Sequence, residues 1–133
     1  MAMNKRLSTK EKRFLARARV CRIGSVDRKG VPHAAPLCHA FDPERRTVYV
    51  ATDGVTAENL RARHRATIEC DDYFEDWDRL RGVVAHARAK VVDRGAELDR
   101  ARTLMKRKFK QYRDIEIESV IALHVEEVAS WGL

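Results

Sequence analysis

The stretch that decides the fold is VCRIGSVDRKGVPHAAPLCHAF, residues 20–41. Its first part, Val20–Val26, is rich in β-branched side chains and predicts a strand. The next four residues, Asp27 to Gly30, have the composition of a hairpin turn, which Gly30 closes by adopting a positive φ. The chain then returns through residues 31–41 as a second strand. We therefore expect a β-hairpin at the start of the sheet.

The residues after this hairpin predict four more strands. Pro43 fixes φ in a turn at residues 42–46, and residues 47–52 have strong β propensity, so the first three strands predict a meander. Further strands are predicted at residues 66–72, 82–92 and 120–125. Six strands in mainly sequential antiparallel order favour a mainly β (α+β) fold, a small barrel with flanking helices, over a doubly wound sheet.

Three helices are predicted around these strands. Ser8 and Glu11 form a capping box that starts the first helix. A short helix is expected at residues 56–63, with Leu60 as its inward anchor. Residues 95–112 are amphipathic, and we expect this third helix to pack across an open end of the barrel.

Composition limits the class of protein. The 133 residues are 44% hydrophobic, enough for one domain at residues 1–133 with a single core. The chain has no apolar run long enough to span a membrane, no signal-peptide pattern and no paired cysteine motif, so we expect a cytoplasmic protein. The formal net charge of +7 attracts anions. A phosphorylated cofactor fits this charge, and we expect neither a nucleic acid nor a membrane as partner.

Motifs of common catalytic sites are missing from the sequence. It contains no GxSxG elbow, no Walker loop, no GxGxxG turn and no HxxxH spacing, so no catalytic residue and no metal ligand is predicted. His39 and Tyr73 are weak candidates for contact with a substrate.

Two features favour a bound cofactor. Pro36 lies inside the second predicted strand, which therefore belongs at a sheet edge. We expect free backbone groups at Ala35, Leu37 and Cys38 to match the polar edge of a flavin ring, although a bulged edge strand also explains the proline. Thr56 follows a glycine turn and opens a helix, so it is predicted to form an anion seat or an ordinary N-cap.

Several segments together resemble the pyridoxamine 5′-phosphate oxidase-like FMN-binding family. They are RIGSVD at residues 22–27, GVPH at residues 30–33 leading to Pro36, YVATD at residues 49–53 and NLR at residues 59–61. Residues 76–80 and 128–132, DWDRL and VASWG, resemble the subgroup often labelled deazaflavin-dependent. The resemblance covers nearly the whole chain in order and spacing.

This resemblance implies a six-stranded split β-barrel, a homodimer with FMN at the subunit interface, and an oxidoreductase acting on a small-molecule substrate. It implies cofactor contacts at Ala35, Pro36, Leu37 and Cys38 along the ring, at Val50, Ala51 and Thr52 beside it, at Thr56, Asn59 and Arg61 near the phosphate, and at Trp77 and Trp131 across the dimer. Val55 and Thr56 stand where many relatives have a lysine or arginine. The alternatives are a deazaflavin-dependent reductase and a non-catalytic flavin-binding or carrier protein.

Overall fold

A computed structural model describes residues 2–133, which curl into one antiparallel sheet flanked by helices. The sheet has seven strands in the order β2-β1-β5-β6-β7-β4-β3. This architecture confirms the predicted mainly β barrel class. The helices are α1 (Thr9–Arg17), α2 (Val55–Ala62) and α3 (Gly95–Lys108), and the strands are β1 (Val20–Val26), β2 (Pro32–Cys38), β3 (Ala40–Asp42), β4 (Thr47–Val50), β5 (Arg65–Asp72), β6 (Arg81–Val92) and β7 (Val120–Trp131).

The strand count is seven rather than six because the predicted second strand divides at His39. Its first part, β2, pairs with β1, whereas its second part, β3, pairs with β4 at the opposite end of the strand order. His39 is fully buried at the division, and its Nε2 lies 2.8 Å from the carbonyl oxygen of Leu15 in α1. The pairings of the predicted meander are present, because the predicted second strand pairs with the first strand through β2 and with the third through β3. The three strands are not continuous neighbours in the strand order, however, and β4 also pairs with β7.

The hairpin turn and the start of the first helix lie where the sequence predicted them. Gly30 has a φ of +88°, and its amide donates to the carbonyl of Asp27 at 3.1 Å. The capping box is present: the Glu11 amide donates to the Ser8 hydroxyl at 3.1 Å, and the Ser8 amide donates to the Glu11 carboxylate at 2.8 Å. The third helix is shorter than predicted, because α3 ends at Lys108 and a 3-10 turn follows at Lys110–Tyr112.

The inner face of the sheet and the helices that cover it form two apolar clusters. The larger one contains side chains of β1, β5, β6 and β7, with Ile23, Ile68 and Leu123 at or below 1% exposure. The smaller one lies under α3, where Leu98 and Met105 pack near Tyr49. Burial of such side chains stabilises the fold by roughly 1.5–3 kcal/mol each. No helix within residues 2–133 is long and apolar enough to cross a membrane.

Candidate functional site

The free edge of β2 forms the first wall of the candidate site. Within the described residues β2 pairs only with β1 and ends the strand order. The amide of His39 donates to the carbonyl of Arg19 at 3.2 Å, and the amide of Asp27 donates to Val31 at 3.0 Å. Because backbone groups alternate in direction along a strand, the N–H and C=O groups of the odd-numbered residues of β2 point toward β1. The backbone groups of the even-numbered residues Ala34, Pro36 and Cys38 therefore point out of the open edge.

This alternation corrects one part of the sequence analysis. The backbone groups of Ala35 and Leu37 point toward β1 and are not free, while those of Cys38 are free as expected. Pro36 occupies an outward position, where a missing N–H costs no ladder hydrogen bond. The available groups are thus the amides of Ala34 and Cys38 and the outward carbonyls, including that of Pro36.

The second wall is the segment that follows β4. The β3–β4 register pairs Ala40 with Tyr49 and ends there. If the register continued, Cys38 would lie opposite Ala51 and Pro36 opposite Asp53, but residues 51–53 belong to no strand. Residues 36–38 and 51–53 are therefore not paired as strands, and we call the region between these two segments the slot.

The predicted residues beside this slot differ in accessibility. Ala51 and Thr52, which border the slot by its definition, are half-buried. The side chain of Val50 is fully buried in the core, so it cannot touch a ligand in the slot. Leu37 is half-buried and packs against the same core from its inward face.

The N-terminus of α2 follows the slot directly along the chain. The helix begins at Val55, one residue earlier than predicted, and its N-cap is Gly54, which has no side chain to bond the first-turn amides. Thr56 is therefore not the N-cap, and it is 97% buried because it turns into the fold. The exposed residues of the first turn are Val55, whose exposure is 51%, and Glu58. An anion at this end of α2 would meet the backbone amides of the first turn rather than the Thr56 hydroxyl.

Asn59 and Arg61 lie beyond the first turn of α2. The Asn59 amide donates to the Ser25 hydroxyl at 3.1 Å, and both side chains are buried, so Asn59 fixes α2 on β1. Arg61 is exposed in the last turn, roughly 9 Å of helix rise from Val55. It lines a cavity of about 430 Å³ with His64, Arg88 and Lys90. Of the twelve predicted residues, Arg61 alone lines any of the five cavities described in residues 2–133.

The two tryptophans have opposite environments. Trp131 is the last residue of β7 and lies across Gly82 on β6, so closely that a Cβ at Gly82 would come within 2.3 Å of the indole ring. Trp77 is 72% exposed in a 3-10 turn, and its indole N–H donates to the Tyr73 hydroxyl at 3.3 Å. Trp77 is thus free to meet another molecule, whereas Trp131 is partly buried within its own chain.

A charged cluster on the outer face beside the slot was missed by sequence reasoning. Arg22 lies opposite Pro36 in the β1–β2 register, and its guanidinium contacts Asp71 at 2.7 Å and Glu69 at 3.2 Å. The two carboxylates raise the pKa of Arg22, while burial and the neighbouring Asp71 raise the pKa of Glu69. The alternating pattern of β1 and β5 could have placed these residues on one face, but only the register brings them together.

A second group, which the sequence did not bring together, lies inside the barrel at the division of the predicted second strand. His39 was a candidate for substrate contact, but full burial removes it from any surface. Its neighbour Cys21 also lies near Lys108, and burial lowers the pKa of Lys108 to about 8. Within residues 2–133, no three histidine, cysteine or acidic side chains converge in a way that could hold a metal ion.

Solved structures with the same fold include proteins with different ligands. HutZ, the heme storage protein from Vibrio cholerae, is 18% identical, with a TM-score of 0.72 over 95% of this chain and 94% of that chain. An FAD-binding protein from Mesorhizobium loti is 18% identical, with a TM-score of 0.72 over 98% and 96% of the two chains. A conserved hypothetical protein from Mycobacterium tuberculosis is 20% identical, with a TM-score of 0.79 over 94% and 84%.

At these identities the structures establish the fold and leave the ligand open. No curated protein matches the chain significantly. The family model for pyridoxamine 5′-phosphate oxidase, however, matches residues 7–132, which include β1 to β7 and all twelve predicted contact residues. The chain therefore belongs to the pyridoxamine 5′-phosphate oxidase family.

Proposed function

We propose that this protein is a cytoplasmic FMN-dependent oxidoreductase that acts on a small molecule as a homodimer. The observation that carries the proposal is the slot itself, an open strand edge beside a helix N-terminus that lacks a side-chain cap. A flavin needs both features, because its ring has a polar edge and its tail ends in a phosphate. Membership of the family and the likeness to an FAD-binding protein support this choice.

The residues of the slot fit the ring. The Cys38 amide can donate to a ring carbonyl, and the outward carbonyl of Pro36 can accept from a ring N–H. These backbone groups need no particular side chain, and residues 51–53 can exclude water from the opposite side. Each such hydrogen bond contributes roughly 0.5–1.5 kcal/mol.

The first turn of α2 fits the phosphate. Its free amides and the helix dipole, equivalent to about half a positive charge, favour an anion at this position. The turn lacks a lysine or arginine and contains Glu58, so we expect weaker phosphate binding than in relatives with a cation there. Arg61 lies too far along the helix to replace that cation through the first-turn amides.

The flavin supplies the hydride or electron transfer when it is bound. The chain's own groups orient the ring and shield one face of it. No side chain of the slot is required as a general acid, since the accessible groups are backbone amides and carbonyls. The substrate meets the exposed face of the ring and is selected by the surrounding loops.

Exposed aromatic side chains support the homodimer. Trp77 and Tyr73 are 72% and 61% exposed and form a hydrogen-bonded pair. Large apolar side chains of this kind favour an interface. Light scattering at micromolar concentration should give the mass of two chains, and a monomer with empty sites would contradict the interfacial placement.

A deazaflavin coenzyme is the second candidate, and a basic groove favours it. Two cavities of about 440 and 430 Å³ share Arg88, Ala89 and Lys90, and Arg45 lines the first and Arg61 the second. A long acidic tail would be attracted to this groove. Tight binding of the deazaflavin with no binding of FMN would select this candidate. A carrier protein would bind flavin but show no turnover with any electron acceptor.

The experiment that tests the FMN site replaces Val55 by glutamate, with V55Q as the matched control. A carboxylate in the first turn stabilises the helix itself, so the fold should be kept. Facing a phosphate, the same carboxylate repels it: two unit charges 4 Å apart interact by about 4 kcal/mol near a protein surface before screening by salt. We expect FMN affinity to fall at least about tenfold in V55E relative to V55Q.

Riboflavin provides the internal control because it has the same ring and no phosphate. Its affinity should be equal in the two variants. Equal FMN affinity in V55E and V55Q would show that the phosphate lies elsewhere, and an equal loss of riboflavin would indicate a structural defect.

A further inference from the structure

Cys21 and Cys70 lie opposite each other inside the barrel. The β1–β5 register pairs Arg22 with Glu69, so the next position toward the start of β1 brings Cys21 across from Cys70. Both side chains are fully buried on the inner face of the sheet, and both thiols are free. The two sulfur atoms therefore belong to one cross-strand pair.

The backbone geometry at this pair suits a disulfide. The hydrogen bond from His39 to Arg19 shows that odd-numbered residues of β1 direct their backbone groups toward β2. Cys21 consequently makes no backbone hydrogen bond to β5, and the pair with Cys70 is a non-hydrogen-bonded one. In such pairs the Cα atoms are about 4.5 Å apart, within the roughly 4.4–6.8 Å that a disulfide requires.

A buried histidine next to the pair provides an independent observation. The Nε2 of His39 lies 2.8 Å from the Leu15 carbonyl oxygen, so Nε2 is the donor in the neutral ring. Nδ1 is then an acceptor, and it is buried with no hydrogen-bond partner among the described residues. An acceptor in this position can take the proton of an adjacent thiol.

The electrostatics of the pair activate one of its sulfurs. The neighbouring Cys70 side chain, and then the His39 ring, lower the pKa of Cys21 against the effect of burial. The same contact with Cys21 and burial raise the pKa of Cys70. Lys108 adds positive charge nearby. Cys21 thus has the thiolate character of an attacking sulfur, and Cys70 holds the remaining proton.

We propose that Cys21 and Cys70 are a redox site that forms a reversible cross-strand disulfide, with hydrogen peroxide as the oxidant and a dithiol as the reductant. Cys21 attacks one peroxide oxygen, the O–O bond breaks, and the departing hydroxide takes a proton and leaves as water. Cys70 then attacks the Cys21 sulfenic sulfur, the S–O bond breaks, and a second water leaves. The two thiols are oxidised by two electrons, and the peroxide is reduced to two waters.

The disulfide would change the neighbourhood of β2 without requiring a bound flavin. The Cys21 thiol donates to the Leu37 carbonyl at 3.7 Å, and oxidation removes that donor. The bond also joins β1 to β5 beyond the last pair of their ladder, which should raise the denaturant concentration at half-unfolding. In a reducing cytoplasm such a disulfide is transient, as in redox sensing.

The test uses the folded 133-residue chain with Cys38 replaced by serine, because Cys38 is exposed and can link two chains. After peroxide treatment, the intact mass should fall by two hydrogen atoms and return after addition of dithiothreitol. Trypsin should release the peptide of residues 20–22 joined to that of residues 66–79, and these contain Cys21 and Cys70 separately. The same peptides from a dithiothreitol-reduced sample should be unlinked.

The matched control is Cys70→Ala in the same C38S background. This variant should form no internal disulfide, and its Cys21 should instead accumulate sulfinic acid. If both thiols of the folded C38S protein stay free while the urea-unfolded chain is oxidised, the inference is overturned. A disulfide between Cys38 and either buried cysteine in the native-sequence protein would also overturn it.

Discussion

Replacing Gly82 by alanine tests the packing of the Trp131 ring, at the end of β7, against Gly82 of β6. An added Cβ would lie 2.3 Å from Cζ2 of Trp131 and 2.8 Å from the Cys70 carbonyl oxygen. The indole ring can swing outward, but the carbonyl is held in the β5–β6 ladder, where Asp71 pairs with Gly82 and Cys70 with Val83. The substitution therefore both strains the sheet and displaces the ring.

The expected cost combines two effects. Overpacking a well-filled site costs about 1–3 kcal/mol, and exposing part of a tryptophan adds a fraction of the roughly 3–5 kcal/mol of a full truncation. We expect G82A to lose about 2–4 kcal/mol of unfolding free energy. For a chain of this length that loss lowers the melting temperature by about 10 °C.

The assay is thermal and urea unfolding by circular dichroism, together with tryptophan emission in a Trp77→Phe background. In that background Trp131 is the one remaining tryptophan, and its emission should shift to longer wavelength in G82A. Gly24→Ala is the matched control, because its Cβ would make ordinary contact at 3.6 Å with Thr67. Stability of G82A within about 0.5 kcal/mol of G24A would refute the packing described for Trp131.

Three further substitutions test contacts around the site. Asn59→Ala should lose about 1–3 kcal/mol in urea unfolding, because it leaves the Ser25 hydroxyl buried without its donor, and adding S25A should recover part of the loss. Burial lowers the pKa of Lys108 to about 8. Between pH 8 and the ordinary lysine pKa, the unfolded state therefore binds more protons than the folded state. The free energy of unfolding of the wild type, measured relative to Lys108→Met, should rise as the pH rises through this window. Tyr49→Phe should cost about 1–2 kcal/mol at neutral pH, because the hydroxyl donates to Glu97 at 2.9 Å, and the loss should narrow in acid as Glu97 is protonated.

Local interactions explain what the sequence could predict. The Ser8–Glu11 box and the Asp27–Gly30 turn each depend on residues within four positions, and both formed as expected. The edge position of Pro36 followed from one missing donor. Each of these features depends on side-chain or backbone groups that lie close together in the sequence.

Contacts distant in sequence explain what the sequence could not predict. The division at His39 depends on a carbonyl in α1, and the second partner of β4 is β7, which is distant in sequence. Thr56 has good N-cap chemistry, but packing turned its side chain inward and left Gly54 as the cap. The direction of the Ala35 and Leu37 amides required the register, since a strand pattern alone does not say which residues face the neighbouring strand.

The pairing of Cys21 with Cys70 could not be predicted from the sequence for the same reason. Forty-nine positions separate the two cysteines in the chain, and neither lies in a cysteine motif. Only the β1–β5 register brings them together.

The visible absorption of the freshly purified protein, with mass analysis of whatever small molecule denaturation releases, tests the central claim most directly. An FMN site at the slot predicts the spectrum of oxidised flavin and the release of FMN, with one molecule per chain in a two-chain particle. A heme Soret band, or a colourless protein that takes up no FMN when the cofactor is added back, would contradict it.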